Sequence, residues 1–165
     1  MPLPAAAARL RRATPADVAA AAAIIGDALA GYGLPFDPDG RDADVKLLGS
    51  RPDHDDFVAE QGGRPIGIAS VGPHGDAGVA WISKLFVARE ARRAGVGRAL
   101  LEAAHEAARA RGYLRVGLRT RVVFREAIAL YESEAYTLTS AEPAVLETGD
   151  VVYFRALSAR PVDNG

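Results

Sequence analysis

The chain has 165 residues, 49% of them hydrophobic, a formal net charge of −1 and no cysteine. Such a length suits one domain that buries most of its apolar surface without staples, and the hydrophobic share excludes a disordered chain. The balanced charge gives no general electrostatic ground for a nucleic-acid or membrane partner, and the lack of cysteine excludes disulfides, thiolate metal sites and a cysteine nucleophile.

No apolar run of about 18 residues is present to span a membrane. In the opening MPLPAAAARLRR the positive charge follows the small apolar stretch, the reverse of a secretory signal. Residues 1–8 read as a tail, and the expected location is cytoplasmic.

Arg9–Arg12 has the pattern of a first strand. Thr14-Pro15-Ala16-Asp17 then places a hydroxyl at a helix cap, proline at the first helical position and an acid three places after the cap. Val18, Ala22, Ile25 and Leu29 recur at helical spacing, which predicts a helix over Pro15–Ala30, stopped by Gly31. The turn-rich loop Gly31–Gly40 carries Tyr32, Leu34 and Phe36, and a short helix near Ala43–Leu48 ends at Gly49.

The hydrophobic period then changes to two. Phe57–Glu60 reads as a strand, Gln61-Gly-Gly-Arg64 as a hairpin turn and Pro65–Val71 as its partner. After the turn Gly72–Gly78, the largely apolar Val79–Val87 reads as a central strand, and three meandering strands favour antiparallel pairing. The second half alternates: a helix over Gly95–Arg111 stopped by Gly112, a strand over Leu114–Thr120 and a helix over Arg125–Glu134. Tyr136–Ser140 and Val151–Leu157 read as a final strand pair around Glu142–Asp150. A strand–helix–strand unit after a meander implies an α/β chain: a mixed sheet of six to seven strands with helices on its faces, one domain over residues 9–158 and a tail at 159–165.

The stretch Leu85-Phe-Val-Ala-Arg-Glu-Ala-Arg-Arg-Ala-Gly-Val-Gly-Arg98 carries chemistry. A strand ends, a basic loop follows, and a helix opens at Gly95 and Gly97. Helix N-termini present unpaired N–H groups and partial positive charge. Glycines allow the close backbone approach that a phosphate needs, and Arg92, Arg93 and Arg98 add permanent charge. The physical inference is a phosphate or pyrophosphate site. The P-loop pattern fails for want of its lysine, and the dinucleotide fingerprint fails because Leu100 stands where a third small residue is required.

Arg92-Arg-Ala-Gly95-Val-Gly97 resembles the R/Q-x-x-G-x-G/A motif of the GNAT superfamily of acyl-CoA N-acyltransferases. Lys84-Leu-Phe-Val87 resembles that family's central strand, and Ala127-Ile-Ala-Leu-Tyr131-Glu132 its second motif. The resemblance covers Phe57 to Tyr136 well and the N-terminal third by element order. It implies the GNAT fold and an N-acetyltransferase using acetyl-CoA as co-substrate, with no metal. The pyrophosphate would rest on the turn Arg92, Arg93, Ala94, Gly95, Val96, Gly97 and Arg98. The pantetheine arm would pair with Leu85, Phe86 and Val87, Arg125 would approach the nucleotide, and Tyr131 would act as general acid. Tyr32 and Phe36, in the loop that commonly roofs the acceptor pocket, and Trp81 are candidate substrate contacts. A small-molecule amine is the expected acceptor, with a protein N-terminus or lysine as an alternative and a homodimer as the family-level expectation.

Three residues depart from the family pattern, one of them Ala135, which stands where a glycine usually precedes the final aromatic, here Tyr136, and reads as a helix end. Trp81 stands where many members carry a glutamate, so a general base is not evident; water, Glu60, His74 and Asp76 are the candidates, and a non-catalytic acyl-CoA-binding sensor is the rival class. Phe124 stands where an asparagine is frequent. His54, among acids in Arg51-Pro-Asp-His-Asp-Asp56, reads as a solvated loop residue, and His105 as incidental. Arg115, Arg119, Arg121 and Arg125 are expected to scatter as solvated charge.

Overall fold

A computed structural model of the chain describes residues 7–140 and 149–157. The expected tails, apart from residues 7 and 8, and most of the Glu142–Asp150 connection lie outside the described residues. Among the described residues, seven strands build one mixed sheet: β1 (Arg9–Arg12), β2 (Asp55–Gln61), β3 (Arg64–Pro73), β4 (Val79–Val87), β5 (Arg115–Arg121), β6 (Thr137–Ser140) and β7 (Asp150–Ala156). Their spatial order is β1-β2-β3-β4-β5-β7-β6, which makes β4 the middle strand, as its apolar sequence implied. Only β4 and β5 run parallel. The α/β class and the mixed sheet therefore stand, and β7 enters between β5 and β6.

Helix α1 (Val18–Gly31) follows a 3-10 turn at Pro15–Asp17. The Thr14 N–H donates to the Asp17 carboxylate at 2.8 Å, closing the cap, and Arg11 grips the same carboxylate at 2.8 Å. That guanidinium is the main reason the Asp17 pKa lies below the ordinary carboxylate value. Ile25 and Leu29 of α1 pack on Val58 and Ile68 of the sheet. On the opposite face α2 (Val96–Ala110) lays Leu101, Ala104 and Ala108 over Ala80, Ile82, Val116 and Leu118. The period of 3.6 in α2 and the alternation in β4 and β5 thus meet on one buried surface. Helix α3 (Arg125–Ser133) closes the same side.

Parallel pairing of β4 with β5 is brief. Val79 to Ile82 pair with Arg115 to Leu118, and no further pair follows although both strands continue. On its other edge β4 carries a bulge: Ser70 pairs with Ser83 but Ile68 with Phe86, so β4 uses one residue more than β3. Lys84 absorbs the bend at φ +58° and reaches Asp44 at 2.7 Å. The bulge turns β4 away from β5 and leaves one edge of Leu85–Val87 without a strand partner.

Three sequence expectations need correction. His54 is not a solvated loop residue. Its ring covers Gly72 of β3 so closely that a Cβ there would lie 2.3 Å from it, and Asp53 bonds its Nδ1 at 2.6 Å. The arginines of β5 do not scatter: Arg115, Arg119 and Arg121 are separated by even numbers of residues, so strand alternation puts all three on one face. His105 is not incidental. It is 1% exposed, with Nε2 2.6 Å from the Tyr136 hydroxyl and Nδ1 3.2 Å from Arg155. A guanidinium only donates, so Nδ1 accepts and Nε2 carries the proton that is donated to Tyr136.

Burial first, then the charges of Arg155 and Arg109, push the His105 pKa down to about 4 from 6.5. The folded chain therefore binds fewer protons than the unfolded chain between those values. The stability this neutral histidine provides is complete above pH 6.5 and is lost as pH falls toward about 4, by up to about 3 kcal/mol. Urea midpoints across that range should fall for the wild-type chain. In His105→Gln, which keeps a donor but does not titrate, the midpoint at neutral pH should be lower and its slope with pH shallower.

Candidate functional site

A groove of about 530 Å³ opens at the C-terminal end of β4, a size in the usual range for small-molecule sites. Leu85, Phe86 and Val87 form one wall from the unpartnered edge of β4. Ala127 and Leu130, one helical turn apart on α3, form the other. Tyr32 at the end of α1 and Phe124 before α3 close a side, their rings 4.9 Å apart, and Phe86 meets Phe124 at 6.4 Å. Most of this lining is apolar.

The polar end is the turn before α2. Arg93 at φ +64° and Gly95 at φ +79° are both left-handed, and Gly95, the N-cap of α2, provides no side-chain cap. The Ala99 N–H donates to the Gly95 carbonyl as the helix opens, so the amides of Val96, Gly97 and Arg98 precede the first complete turn. Left-handed residues in such a turn aim successive N–H groups into one concavity, an arrangement suited to an anion. Gly97 lies over Val87 and Leu130, and a Cβ there would approach them at 3.7 and 3.4 Å, so its smallness keeps the groove wide. The sequence-derived residues Leu85, Phe86, Val87, Arg92, Arg93, Gly95, Val96, Gly97 and Arg98 all line this groove.

The arginine side chains are partly committed. Arg92 folds back to donate from Nε to the Val87 carbonyl at 3.2 Å. Arg98 is ion-paired with Glu134 and donates to Ser133 Oγ at 3.2 Å, tying the start of α2 to the end of α3. Arg93 is 88% exposed and only loosely paired with Glu126 at 3.9 Å, so its guanidinium is the most available of the three.

Other sequence-derived residues sit elsewhere. Ala94 is exposed at the turn's tip and Arg125 is exposed at the start of α3; neither lines the groove. Tyr131 packs in the core with α2, its ring 5.7 Å from that of Tyr136, and burial raises its hydroxyl pKa above the ordinary tyrosine value. Phe36 lies against Gly26 of α1 rather than in the groove. Trp81 is on the early part of β4, stacked on His74 at 4.2 Å and edge-on to Phe154 at 5.8 Å. Asp76 shares the exposed turn with His74, at the opposite end of β4 from the groove. Glu60 is bound to Arg11 at 2.9 Å. No described base candidate faces the groove. The role of Phe124 as a wall went unforeseen because its partners, Tyr32 and Phe86, lie far from it in sequence.

The chain matches the model of the acetyltransferase (GNAT) family over residues 22–135. It is similar to YjgM of Escherichia coli K12, described as an uncharacterized N-acetyltransferase, at 32% identity over 130 residues, covering 74% of this chain and 78% of that protein. It is also similar to the crystal structure of a ribosomal-protein-alanine N-acetyltransferase from Brucella melitensis, at 26% identity and a TM-score of 0.70 over 90% of this chain and 99% of that one. PaiA N-acetyltransferase of Thermoplasma acidophilum, solved with coenzyme A, shares the fold at 15% identity and a TM-score of 0.73, covering 91% and 99% of the two chains.

The two glycines of the turn should respond in opposite directions to the same substitution. Gly95→Ala forces a Cβ onto a left-handed residue and should cost about 1 kcal/mol, a fall of roughly 3 °C in melting temperature. Gly97→Ala meets only ordinary contacts inside a helix, so its melting temperature should hold or rise. Differential scanning calorimetry of both variants checks this.

Proposed function

Because the chain belongs to the acetyltransferase (GNAT) family, we propose that it transfers the acetyl group of acetyl-CoA to a primary amine of a small molecule. The observation that carries this is the uncapped start of α2, which opens onto the same groove as the partnerless edge of β4. In this proposal the pyrophosphate rests on the amides from Arg92 to Arg98, and Arg93 meets its charge. The pantetheine arm adds like a strand to Leu85–Val87, as an extended ligand adds to an open sheet edge. Apolar walls at Leu130, Phe124 and Phe86 fit its alkyl and geminal methyl groups.

The chemistry needs no protein nucleophile, since a thioester is already activated. The neutral amine attacks the carbonyl carbon, the C–N bond forms, and a tetrahedral oxyanion develops. A backbone N–H near Phe86 or Val87 stabilises that charge. The C–S bond then breaks; the Tyr131 hydroxyl donates a hydrogen bond that strengthens as charge develops on sulfur, and the proton lost by the amine reaches the thiolate through water, leaving a free thiol and neutral Tyr131. Burial raises the Tyr131 pKa, so the hydroxyl stays protonated and serves as a hydrogen-bond donor to the leaving sulfur rather than giving up its proton.

Two observations favour second readings. Trp81 packs on His74 and Phe154 where a carboxylate base would stand, which favours a non-catalytic acyl-CoA sensor. The likeness to the Brucella enzyme favours a protein N-terminus as acceptor. We further propose that the protein is cytoplasmic and forms a homodimer, which sedimentation would detect. No described helix is long and apolar enough to cross a membrane.

Thiol release from acetyl-CoA should be stimulated by members of an amine panel. Tyr131→Phe should lower turnover about tenfold or more while calorimetric CoA affinity stays within a factor of about two. Tight CoA binding with no turnover on any amine or peptide would replace the enzyme with the sensor. Equal competition by ATP would remove the pantetheine contact from the account.

A further inference from the structure

The face of the sheet opposite α2 carries a row of arginines that the transfer chemistry above does not use. Arg115, Arg119 and Arg121 project from alternate positions of β5, and Arg41 reaches the same face from the loop after α1. Among the described residues, the carboxylate set into this row is Asp150 of β7, which is 6% exposed. Arg41 takes it at 3.3 Å, and Arg119 stands off at 3.9 Å with its side chain 62% exposed. Arg115 lies over the Phe154 ring at 4.7 Å. Among the described residues, one buried carboxylate shared by two guanidiniums leaves positive charge and unused donors at Arg119.

The position of Arg119 gives that charge a use. It is the first residue of β5 beyond the last pair, Leu118 with Ile82, so it stands where β4 and β5 part. A thioester seated in that gap has one side blocked by the core beneath α2 and α3, where Leu101, Leu118 and Tyr131 are packed. The amine has to approach from the other side, past Arg119.

We propose that the acceptor is an amine carrying a carboxylate a few bonds from its nitrogen, as in an α-amino acid, and that Arg119 binds this carboxylate. The assignment rests on the acetyltransferase function proposed above. A guanidinium fork matches a carboxylate with two parallel hydrogen bonds, whereas a simple ammonium would meet repulsion from Arg41 and Arg119. The same field favours the neutral, nucleophilic amine over its ammonium form, which suits a site whose β4 supplies Trp81 in place of a carboxylate. Trp81 and Phe154, closed over Gly117, offer the acceptor's substituent an aromatic surface on this face.

The test pairs each α-amino acid with its decarboxylated amine, for example phenylalanine with phenethylamine, in the thiol-release assay. For at least one pair, kcat/KM for the amino acid should exceed that for the amine by about tenfold or more, mainly through KM, and Arg119→Gln should close most of that gap. Arg119→Lys should restore part of it. Arg119 is exposed and its loss leaves Asp150 with Arg41, so the variant should fold, which circular dichroism checks. Equal rates for every pair, or a gap that survives Arg119→Gln, would overturn the assignment while leaving the acetyltransferase function intact. The same pairs are measured by equilibrium dialysis on the CoA-loaded protein. If no amine is turned over, saturable amino-acid binding weakened by Arg119→Gln supports the carboxylate site, and its absence overturns it.

Discussion

The parting of β4 from β5 is the constraint on which the site depends. Parallel strands are held by an even ladder of hydrogen bonds, and here that ladder stops after Ile82 and Leu118. The cause lies on the opposite edge of β4, where the bulge at Lys84 adds one residue against β3 and bends the strand. A left-handed lysine costs on the order of 1 kcal/mol. Its ion pair with Asp44 at 2.7 Å, with the Lys84 side chain only 13% exposed, offsets part of that cost and anchors the bend to the short helical turn at Ala43–Leu47. A sheet that normally hides its backbone thus shows one open edge inside the molecule. That edge, rather than any single side chain, is what an extended ligand arm would recognise.

A second element completes the groove from the far side. The helix that packs on β4 and β5 starts where the groove ends, so its unpaired amides and the open strand edge face one space. Rigid contacts hold these parts together. Gly97 lies against Val87 and Leu130, and Arg98 ties α2 to the end of α3 through Glu134 and Ser133. Arg92 is bent onto the strand it follows. Backbone amides, held by helix and turn, are pre-organised, whereas the exposed Arg93 is left to adapt. Electrostatic binding at such a turn owes more to fixed dipoles than to the count of arginines.

The two faces of the sheet have separate duties. Beneath α2 and α3 a polar chain crosses the largely apolar core: Arg155 donates to His105 and His105 to Tyr136. Every member of this chain has a partner, which is the condition under which buried polar groups can be kept. On the other face Gly117 lets Trp81 and Phe154 close over β5; a Cβ there would lie 2.6 and 2.5 Å from their rings. Positive charge from β5 gathers on that same face. The motif turn and Arg119 therefore both border the gap between β4 and β5.

Local order was legible in the sequence because each element carries its own signal. Thr14-Pro15 opened the first helix, Gln61-Gly-Gly-Arg64 turned a hairpin, and the apolar run Val79–Val87 marked the middle strand, all through short-range sterics and burial. The residues from Arg92 to Gly97 also announced a glycine turn that opens a helix, since glycine spacing and a helix start are properties of adjacent residues. Contacts between distant segments were decided only by the tertiary structure. Phe124 meets Tyr32 and Phe86 across the groove, His105 is kept neutral by burial and the charge of Arg155, and Asp150 draws Arg41 across the sheet. The row at Arg115, Arg119 and Arg121 lies between these cases. Its alternation was written in the chain, but its meaning came from the end of the β4–β5 ladder beside it. Adjacent residues determine local conformation, whereas burial and charge pairing depend on what the fold brings from elsewhere.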